Sequence, residues 1–311
     1  MNHLFIGIDG GGSHSTAAAV CPDGSILGRA EGPGLNYLND GLETCVRRFG
    51  ELLRQFPSLE IGNVVVCGGL AALDGPAPGS ILEAFQSVLP PNCRLILESD
   101  LSVALAGHTL GRPGLMAVCG TGSMALARDC SGREICAGGW GWKIGDPGSG
   151  YSLAREGLFR AAFRAETEGR KTPLLTAALR FFDAPDLRSL IAPLYAPGRG
   201  PDALAAFGAE VARLAGEDDP DAFGILTAQM DQFAALCASL LNTIPAAIGH
   251  VGLSGGLFVH SPLACALFTE ALLARCPGAK TGPVKQPPAL GAVILGMLRS
   301  GISPSNIPVF K

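Results

Sequence analysis

The first thirty positions alternate between short apolar runs and turns, without a helical repeat. The run LFIGI (4–8) is followed by a glycine-rich turn, a second run TAAAV (16–20), the turn CPDGS and a third run, ILGRA. Short apolar runs bounded by glycine, proline and aspartate are typical of strands joined by tight turns. The pattern therefore predicts a three-stranded β-meander at the start of the chain.

The same pattern returns near residue 115. There the run LMAVC is followed by the turn GTGS, the run MALAR, the turn DCSGR and the run EICAG, so that Asp23-Gly24 corresponds to Ser131-Gly132. The offset of roughly 108 residues is far longer than the repeats of about 20 to 50 residues that build solenoids. The sequence predicts that one β-rich unit has been duplicated.

Helical periodicity fills the space after each meander. Apolar residues from Leu42 to Phe56 recur at i, i+3, i+4 and i+7, behind Asn39 or Asp40 as a cap, and this spacing predicts an amphipathic helix. The chain from about 150 to 245 is also predicted to be mostly helical. It includes an apolar stripe from Phe223 to Ile244 that we interpret as core packing.

Two further runs, NVVVC (63–67) and CRLIL (93–97), are aliphatic without alternation. Unalternated strands are typical of sheets that are covered on both faces. Each half is therefore predicted to be mixed α/β, with helices packed against its strands.

Composition narrows the classes of partner. The chain has 311 residues, of which 48% are hydrophobic and 16% charged, with 43 glycines and 23 prolines. This composition excludes a disordered chain and favours many tight turns. The net charge is −4 and the basic residues are scattered, so neither nucleic acid nor an anionic membrane is expected as a partner. Small molecules and proteins remain, and the sequence leaves a homodimer open.

One stretch raises the question of a membrane span. Residues 232–269 contain no Asp, Glu, Lys or Arg, but Asn242, Pro245, His250 and a Gly-Gly pair interrupt them. Because no clean apolar run of about 18 residues is left, we expect no membrane segment. The N-terminus lacks the basic start of a signal peptide, so a cytoplasmic protein is predicted.

The ten cysteines do not suggest a disulfide framework. Cys67, Cys119 and Cys237 lie inside apolar runs, and no CxxC pair occurs. Reduced thiols in the core are therefore expected, and a zinc or iron–sulfur site has little support.

The most distinctive turn follows the first predicted strand. There Asp9 precedes three glycines, Gly10 to Gly12, and the polar residues Ser13–Thr16. Backbone amides in such a turn can approach phosphate oxygens closely. It is not a dinucleotide-binding fingerprint, because a strand and not a helix follows, and the G-K-[ST] of a P-loop does not occur. Taken alone, a plain tight turn explains the glycines equally well.

Two more glycine loops strengthen the phosphate interpretation. Cys119–Ser123 occupies the equivalent place in the second half, and Leu253–Leu257 lies between a predicted strand and a helix that starts near Ser261. Backbone amides at a helix N-terminus bind anions. Three such loops together favour a nucleotide over plain turns.

In these loops the chain resembles the BadF/BadG/BcrA/BcrD group of the acetate kinase, sugar kinase, heat-shock and actin superfamily, and within it the N-acetylglucosamine and glucosamine kinases. The likeness covers nearly the whole chain and is most specific over residues 115–157, in AVCGTGSMALA and GGWGWKIGDPGSGYSLAREGL. It implies an α/β fold of two duplicated ribonuclease H-like, actin-like ATPase domains around a central cleft, closing over ATP and a sugar.

The resemblance also implies domain boundaries. The N-terminal domain would span residues 1–112 and be joined by the C-terminal helix at about 289–311. The C-terminal domain would span residues 113–288 and carry a helical insertion at about 165–245.

Carried over residue by residue, the resemblance implies a role for each candidate. Asp9 would hold hydrated Mg²⁺, and Asp100 would be the catalytic base that accepts the proton of the sugar hydroxyl. The phosphates of ATP would lie against Gly10, Gly11, Gly12, Ser13 and Thr16, opposed by Thr121, Gly122 and Ser123. The sugar would contact Asn36, Asp100, Thr121, Gly122 and Asp146, and adenosine would contact Gly255 and Gly256.

Some positions leave a second interpretation open. Ser13 stands where the family often has threonine, and Pro147 where it often has glutamate. Without the resemblance, Asp100 would be interpreted as a helix N-cap, which aspartate favours. Trp140 and Trp142 either stack on the sugar or anchor their loop as buried side chains.

The function that the resemblance implies is an ATP-dependent amino-sugar kinase, with Mg²⁺ as cofactor, that transfers the γ-phosphate to the 6-hydroxyl of N-acetylglucosamine. Glucosamine is the alternative acceptor. An ATPase of the dehydratase-activator type would need an iron–sulfur cluster, which the placement of the cysteines disfavours. A non-catalytic sugar sensor would be expected to lose its carboxylates, whereas Asp9 and Asp100 are both present.

Overall fold

The structure, a computed structural model, describes residues 3–56, 62–73, 75, 77–197 and 200–311. The chain divides into two compact units. The first comprises Met1–Pro113 together with Val284–Lys311, and the second comprises Gly114–Pro283.

In the described part of the first unit the strands are β1 His3–Gly10, β2 His14–Val20, β3 Ile26–Pro33, β4 Asn63–Leu70 and β5 Cys93–Ser99. They form one sheet in the order β3-β2-β1-β4-β5. Strands β1 to β3 are the predicted antiparallel meander, and β4 and β5 extend the sheet parallel to β1.

The second unit contains β6 Gly114–Cys119, β7 Ser123–Arg128, β8 Glu134–Gly138, β9 Val251–Ser254 and β10 Thr281–Pro283. Their order is β10-β9-β6-β7-β8, again with an antiparallel meander and two parallel strands beside its first member. Both sheets therefore share one topology, which confirms the predicted duplication and the α/β fold class.

Helices complete both units. Those of the first are α1 Tyr37–Asp40, α2 Leu42–Leu53, α3 Gly79–Gln86 and α4 Asp100–Thr109. Those of the second are α5 Gly150–Glu168, α6 Pro173–Phe181, α7 Ile191–Leu194, α8 Pro201–Gly216, α9 Pro220–Thr243, α10 Gly256–His260 and α11 Pro262–Arg275. The last helix, α12 Pro288–Arg299, returns to the first unit.

The helix predicted to start near Ser261 is confirmed, because Ser261 caps α11, which begins at Pro262; the short helix α10 precedes it from Gly256. The predicted stripe of α9 is wrong at its two ends. In the apolar stripe of α9, Phe223 is exposed instead of buried, and Ile244 lies just beyond the helix end. Periodicity assigns a helix but does not reveal which end of its stripe the neighbouring elements cover.

Alternation along β1 explains why the first sheet is covered on both faces. Leu4, Ile6 and Ile8 pack on the side of α2, whereas Phe5 packs with α12 on the other side. Successive side chains of a strand point to opposite faces, so an unbroken apolar strand needs a layer on each side. The second unit instead has a single large core, formed with α5, α6, α8, α9 and α11.

Helix α9 is long and apolar enough to cross a membrane by length and composition alone. More than half of its most apolar stretch, 56%, is buried within the fold. Ile225, Leu226, Met230 and Phe233 belong to the core of the second unit. The helix is therefore accounted for as a core helix.

Glycines allow α12 to pack directly on backbone. A methyl group on Gly7 would lie 2.0 Å from the carbonyl oxygen of Ala289, and one on Gly291 would lie 1.9 Å from the carbonyl oxygen of Val103. Strand β1, helix α4 and helix α12 thus meet at backbone contact. This contact holds α4, and with it Asp100 at its start, against the first sheet.

We expect Gly291→Ala to lower the free energy of unfolding by about 3 kcal/mol, because no flexible side chain can move to admit the methyl group. The control is Gly224→Ala in α9, where a methyl group would meet nothing within 4 Å. That change should raise stability by about 1 kcal/mol through helix propensity. Urea unfolding of both variants measures the difference, and equal midpoints would contradict the packing argument.

Candidate active site

Two carboxylates lie at one edge of the first sheet. Asp9 is near the end of β1, Asp100 directly follows β5, and β4 runs between these strands and parallel to both. The register pairs Asp9 with Gly69 and Leu70 with Ser99. Because the carboxyl ends of parallel strands meet at the same edge of a sheet, the fold brings the two acids together at the position where α/β proteins bind ligands.

The electrostatics of Asp9 reflect this neighbour. Burial raises the pKa of Asp9 to about 6, the nearby Asp100 carboxylate contributes to the rise, and His14 opposes it. Two like charges in a partly buried place are costly unless a cation or a proton joins them. The edge of the first sheet is therefore suited to a positively charged ligand.

Asp100 is the first residue of α4. Ser99 caps this helix by accepting a hydrogen bond from the Ser102 amide, so the N-cap interpretation of Asp100 is wrong. The Leu101 amide donates to Asp100 Oδ1 at 2.7 Å. Residues 101–109 are all buried, whereas Asp100 is only partly buried. Its carboxylate is therefore held at the open, positive end of a buried helix.

The first glycine turn is fastened to the segment that follows β3. The Gly34 amide donates to the Ser13 carbonyl at 3.1 Å, and the Leu35 amide donates to the Gly11 carbonyl at 3.0 Å. A methyl group on Gly12 would meet nothing within 4 Å. Packing within the protein therefore does not require a glycine at position 12. Close approach of a ligand to the backbone is a reason for a glycine there.

Asn36 lies directly after this segment. Its Oδ1 accepts hydrogen bonds from the amides of Leu38 and Asn39, at 3.1 and 3.3 Å, and so caps α1. These hydrogen bonds fix the side chain of Asn36. Asn36 lies two residues after Gly34, whose amide binds the glycine turn. Asn36, Asp9 and the glycine turn thus all belong to the first unit, as does Thr16, which pairs with Asp9 across β1 and β2.

The second glycine loop is fastened to the start of α5. The Gly150 amide donates to the Gly120 carbonyl at 2.8 Å, and the Tyr151 amide donates to the Thr121 carbonyl at 3.3 Å. The carbonyl groups of this loop thus point to the helix. A methyl group on Gly208 of α8 would lie 2.2 Å from the Gly150 carbonyl oxygen, so α8 packs closely on the same point.

Asp146 and Ser123 are buried supports of this loop. The Gly141 amide donates to Asp146 Oδ1 at 3.1 Å, and the Ser123 hydroxyl donates to the Pro147 carbonyl at 2.7 Å. Burial raises the pKa of Asp146, although backbone hydrogen bonds from Gly141 and Ser123 oppose the rise. Both side chains hold loop 139–149 against the glycine loop, and both lie in the second unit.

The third glycine loop closes on the second. Gly255 has a φ of +93°, and a methyl group there would lie 2.2 Å from the carbonyl oxygen of Cys119. Only glycine fits this position, which turns the chain from β9 straight into α10. Gly256, the first residue of α10, has open space where a side chain would begin.

A cavity of about 800 Å³ in the second unit opens between these loops, helix α8 and the start of α11. Its lining includes Gly120, Thr121, Gly256, His260, Ala206 and Ala209. Its volume lies within the range of small-molecule sites. The glycines were predicted from the sequence, whereas the α8 residues were not; their signal is a run of small residues at helical spacing.

Trp140 and Trp142 are exposed, at 70% and 41%, so the alternative of buried anchors is wrong. The Trp142 ring packs on Tyr151 with centroids 5.4 Å apart. In the part of the chain that the structure describes, no group of three His, Cys, Asp or Glu side chains could hold a metal ion. A metal at Asp9 would therefore take most of its ligands from substrate and water, as Mg²⁺ commonly does.

Comparison with known proteins places the fold. A structure of a candidate N-acetylglucosamine kinase from Chromobacterium violaceum aligns with a TM-score of 0.71 at 24% identity, over 94% of this chain and 98% of that one. The two duplicated sheets thus share the fold of that structure, as expected for two ribonuclease H-like domains. The profile of the BadF/BadG/BcrA/BcrD ATPase family matches residues 6–296, and the chain belongs to this family.

Two curated relatives are similar over part of the chain. An N-acetyl-D-glucosamine kinase of Dictyostelium discoideum is 28% identical over 208 residues. An N-acetylmuramic acid/N-acetylglucosamine kinase of Clostridium acetobutylicum is 33% identical over 199 residues. Each alignment covers 62% of this chain, and 65% and 64% of the respective relative.

We expect Asp9→Asn to stabilise the protein at neutral pH. Since the pKa rises from 3.8 unfolded to about 6 folded, the folded state loses stability as pH rises through this window. The charge of Asp9 does not lower the free energy of unfolding below pH 3.8, and it lowers that free energy by about 3 kcal/mol above pH 6. Urea unfolding should show a larger gain for the variant at pH 7.5 than at pH 5.

Asp23→Asn serves as the control of opposite sign. Hydrogen bonds from Ser25 lower the pKa of Asp23, so its charge contributes stability that is lost as pH falls through the folded value. This variant should lose stability at pH 7.5. An Asp9→Asn gain that does not change with pH would show that burial of the charge is not its cause.

Proposed function

We propose that this chain is an ATP-dependent kinase that transfers the γ-phosphoryl group to the 6-hydroxyl of N-acetylglucosamine. The observation that carries the proposal is the pair of carboxylates, Asp9 and Asp100, at the carboxyl edge of the first sheet. Two relatives named as kinases of N-acetylglucosamine support the choice of sugar. Because ATP is the donor, the activity is placed in the cytoplasm.

Asp100 is the proposed catalytic base. The acceptor oxygen forms its bond to the γ-phosphorus while the bond from that phosphorus to the β,γ-bridging oxygen breaks, and the electron pair leaves with ADP. The hydroxyl proton passes to the Asp100 carboxylate. In a loose transition state this proton moves late, so a carboxylate positioned beside the hydroxyl suffices.

Asp9 is the proposed residue for Mg²⁺. Mg²⁺ bound there would neutralise the negative charge of the phosphates. Asp9 suits this role because burial and a neighbouring carboxylate make its charge costly without a cation. The amides of Gly11, Gly12 and Ser13, with Gly10 and Thr16 beside them, would face the phosphates.

The second unit is the proposed nucleotide side. Its 800 Å³ cavity is bordered by the two glycine loops that contain Gly120 and Gly256. Thr121, Gly122 and Ser123 would serve the phosphates, and Gly255 and Gly256 would let the adenosine approach the backbone. The small side chains of Ala206 and Ala209 leave room for a flat base between α8 and α10.

Asn36 and Asp146 are the proposed sugar-binding residues besides Asp100. Since the Asn36 carbonyl oxygen is used to cap α1, its amide group is the part that would donate to a sugar hydroxyl. Asp146 already accepts backbone hydrogen bonds. It would therefore bind the sugar with one carboxylate oxygen, from a loop that those hydrogen bonds hold rigid. The sugar would also touch the backbone of Thr121 and Gly122.

The first test is ADP release with Mg-ATP and N-acetylglucosamine, glucosamine, glucose or no sugar. Release should depend on sugar and be fastest with N-acetylglucosamine. Asp100→Asn should lower kcat on the order of a hundredfold or more, the range of general-base catalysis, with little change in KM for ATP. The control Asp231→Asn removes an exposed acid that pairs with Arg275 and should be near wild type.

Other results of this test would favour the other two candidate functions, an activator-type ATPase or a sugar sensor. Sugar-independent ADP release together with iron in the purified protein would point to the activator type. Nucleotide binding without turnover would point to a sensor. Full activity of Asp100→Asn would remove the observation on which the kinase proposal rests.

A second test concerns the nucleotide cavity. Ala209→Phe adds a ring to the wall of α8 and should raise KM for ATP about tenfold or more by filling the space for the base. The control Ala235→Phe places the same ring on an exposed position of α9 and should leave KM unchanged. Equal KM values in both variants would show that ATP does not use this cavity.

A further inference from the structure

One polar side chain at the edge of the first sheet has no role in the proposed function. His14 is the first residue of β2 and directly follows the glycine turn, and its side chain is exposed. The proposed function uses its neighbours Ser13 and Thr16. It assigns nothing to His14.

The register of β1 and β2 determines which face of the sheet His14 occupies. Asp9 pairs with Thr16 across the two strands, so these side chains point to the same face. Because successive side chains of a strand alternate, His14 shares this face and Ser15 points to the other one. Ser15 is buried there, and its hydroxyl donates to the Pro33 carbonyl at 2.9 Å. His14 is therefore a diagonal neighbour of Asp9, at a distance that long side chains can span.

Helix α12 begins below this part of the face. A methyl group on Gly7 would meet the carbonyl oxygen of Ala289, the second residue of the helix. One on Gly296, near the other end, would meet the ring of Phe5. The helix thus runs from Gly7 towards Phe5, and its positive end faces the edge of the sheet where His14 lies. A negatively charged ligand is favoured at this edge.

His14 is also the one cation that the first glycine turn can offer. From Asp9 to Thr16 the chain contains no lysine or arginine, and His14 is the only residue that can carry a positive charge. Burial and the Asp100 carboxylate raise the pKa of Asp9, and His14 lies close enough to oppose this rise. Phosphoryl transfer depends on positive charge beside the phosphates. In this turn, His14 is the side chain that can provide it.

The two ring nitrogens of His14 are not equivalent. Ser13 Oγ and His14 Nδ1 lie 3.2 Å apart, within hydrogen-bond distance. When the hydroxyl donates, Nδ1 accepts and Nε2 carries the hydrogen. Nε2 is then a donor, and a hydrogen bond from it to a phosphate oxygen is strengthened by the charge of the phosphate.

We infer that His14 is a further residue of the active site, whose Nε2–H group donates a hydrogen bond to a terminal phosphate oxygen of ATP. The inference rests on the proposed function, because that function places the phosphates against the first glycine turn. It makes His14 a residue that distinguishes ATP from nucleotides with fewer phosphates.

The test compares His14→Asn with His14→Gln by calorimetric titration with Mg-ATP and with AMP. The side-chain nitrogen of asparagine takes about the place of Nδ1, whereas that of glutamine takes about the place of Nε2. His14→Asn should raise Kd for ATP about tenfold, as expected for a lost hydrogen bond to a charged group, and leave Kd for AMP unchanged. His14→Gln should retain part of the affinity for ATP.

Arg29→Gln is the matched control, because it removes an exposed cation from the same face of the same sheet. Arg29 lies on β3 and pairs with Ala18, which is on the face of β2 that carries His14. This variant should bind both nucleotides as the wild type does. Wild-type affinity for ATP in His14→Asn, or an equal loss for ATP and AMP, would overturn the inference.

ADP release distinguishes this inference from the proposed function. If a sugar drives ADP release and His14→Asn keeps the wild-type Kd for ATP, the inference fails and the proposed kinase function stands. If the wild type binds ATP but no sugar drives ADP release, the proposed function fails, and the Kd values still decide the role of His14. If the wild type does not bind ATP, both fail.

Discussion

Two carboxylates held near each other at the carboxyl ends of parallel strands are the constraint on which the rest of this protein depends. Folding places Asp9 at the end of β1 and Asp100 at the start of α4, and burial together with this neighbour raises the pKa of Asp9 to about 6. The arrangement costs stability in the absence of a cation. Such costs are common where a fold serves a function, because a site that is ready for its ligand is seldom relaxed without it.

The first unit supports this edge by close backbone packing. Glycines at Gly7 and Gly291 let β1, α4 and α12 meet at their backbones, so the element that carries Asp100 cannot shift far relative to the strand that carries Asp9. Ser99 caps α4 in place of Asp100. Asp100 is therefore not the residue that caps this helix.

The second unit uses the same sheet topology differently. Its glycine loops are fastened to α5 and to each other, through the Gly150 amide and through the contact of Gly255 with Cys119. Asp146, in this unit, is buried and accepts a hydrogen bond from the Gly141 amide. One duplicated fold thus carries a pair of neighbouring carboxylates in its first copy and the large cavity in its second.

Local sequence determined the strands, the duplication and the glycine turns, because short apolar runs and turn residues act over a few positions and need no distant partner. Asp9 and Asp100 were also visible in the sequence, but only as an acid after a strand and an acid before a helix. Their proximity depends on β4 lying between β1 and β5, which no local pattern encodes. The residues of α8 around the large cavity and the exposure of Trp140 and Trp142 were likewise decided by tertiary structure. Each of these features depends on which helices pack side by side. That packing is determined by the total apolar surface that the whole core buries.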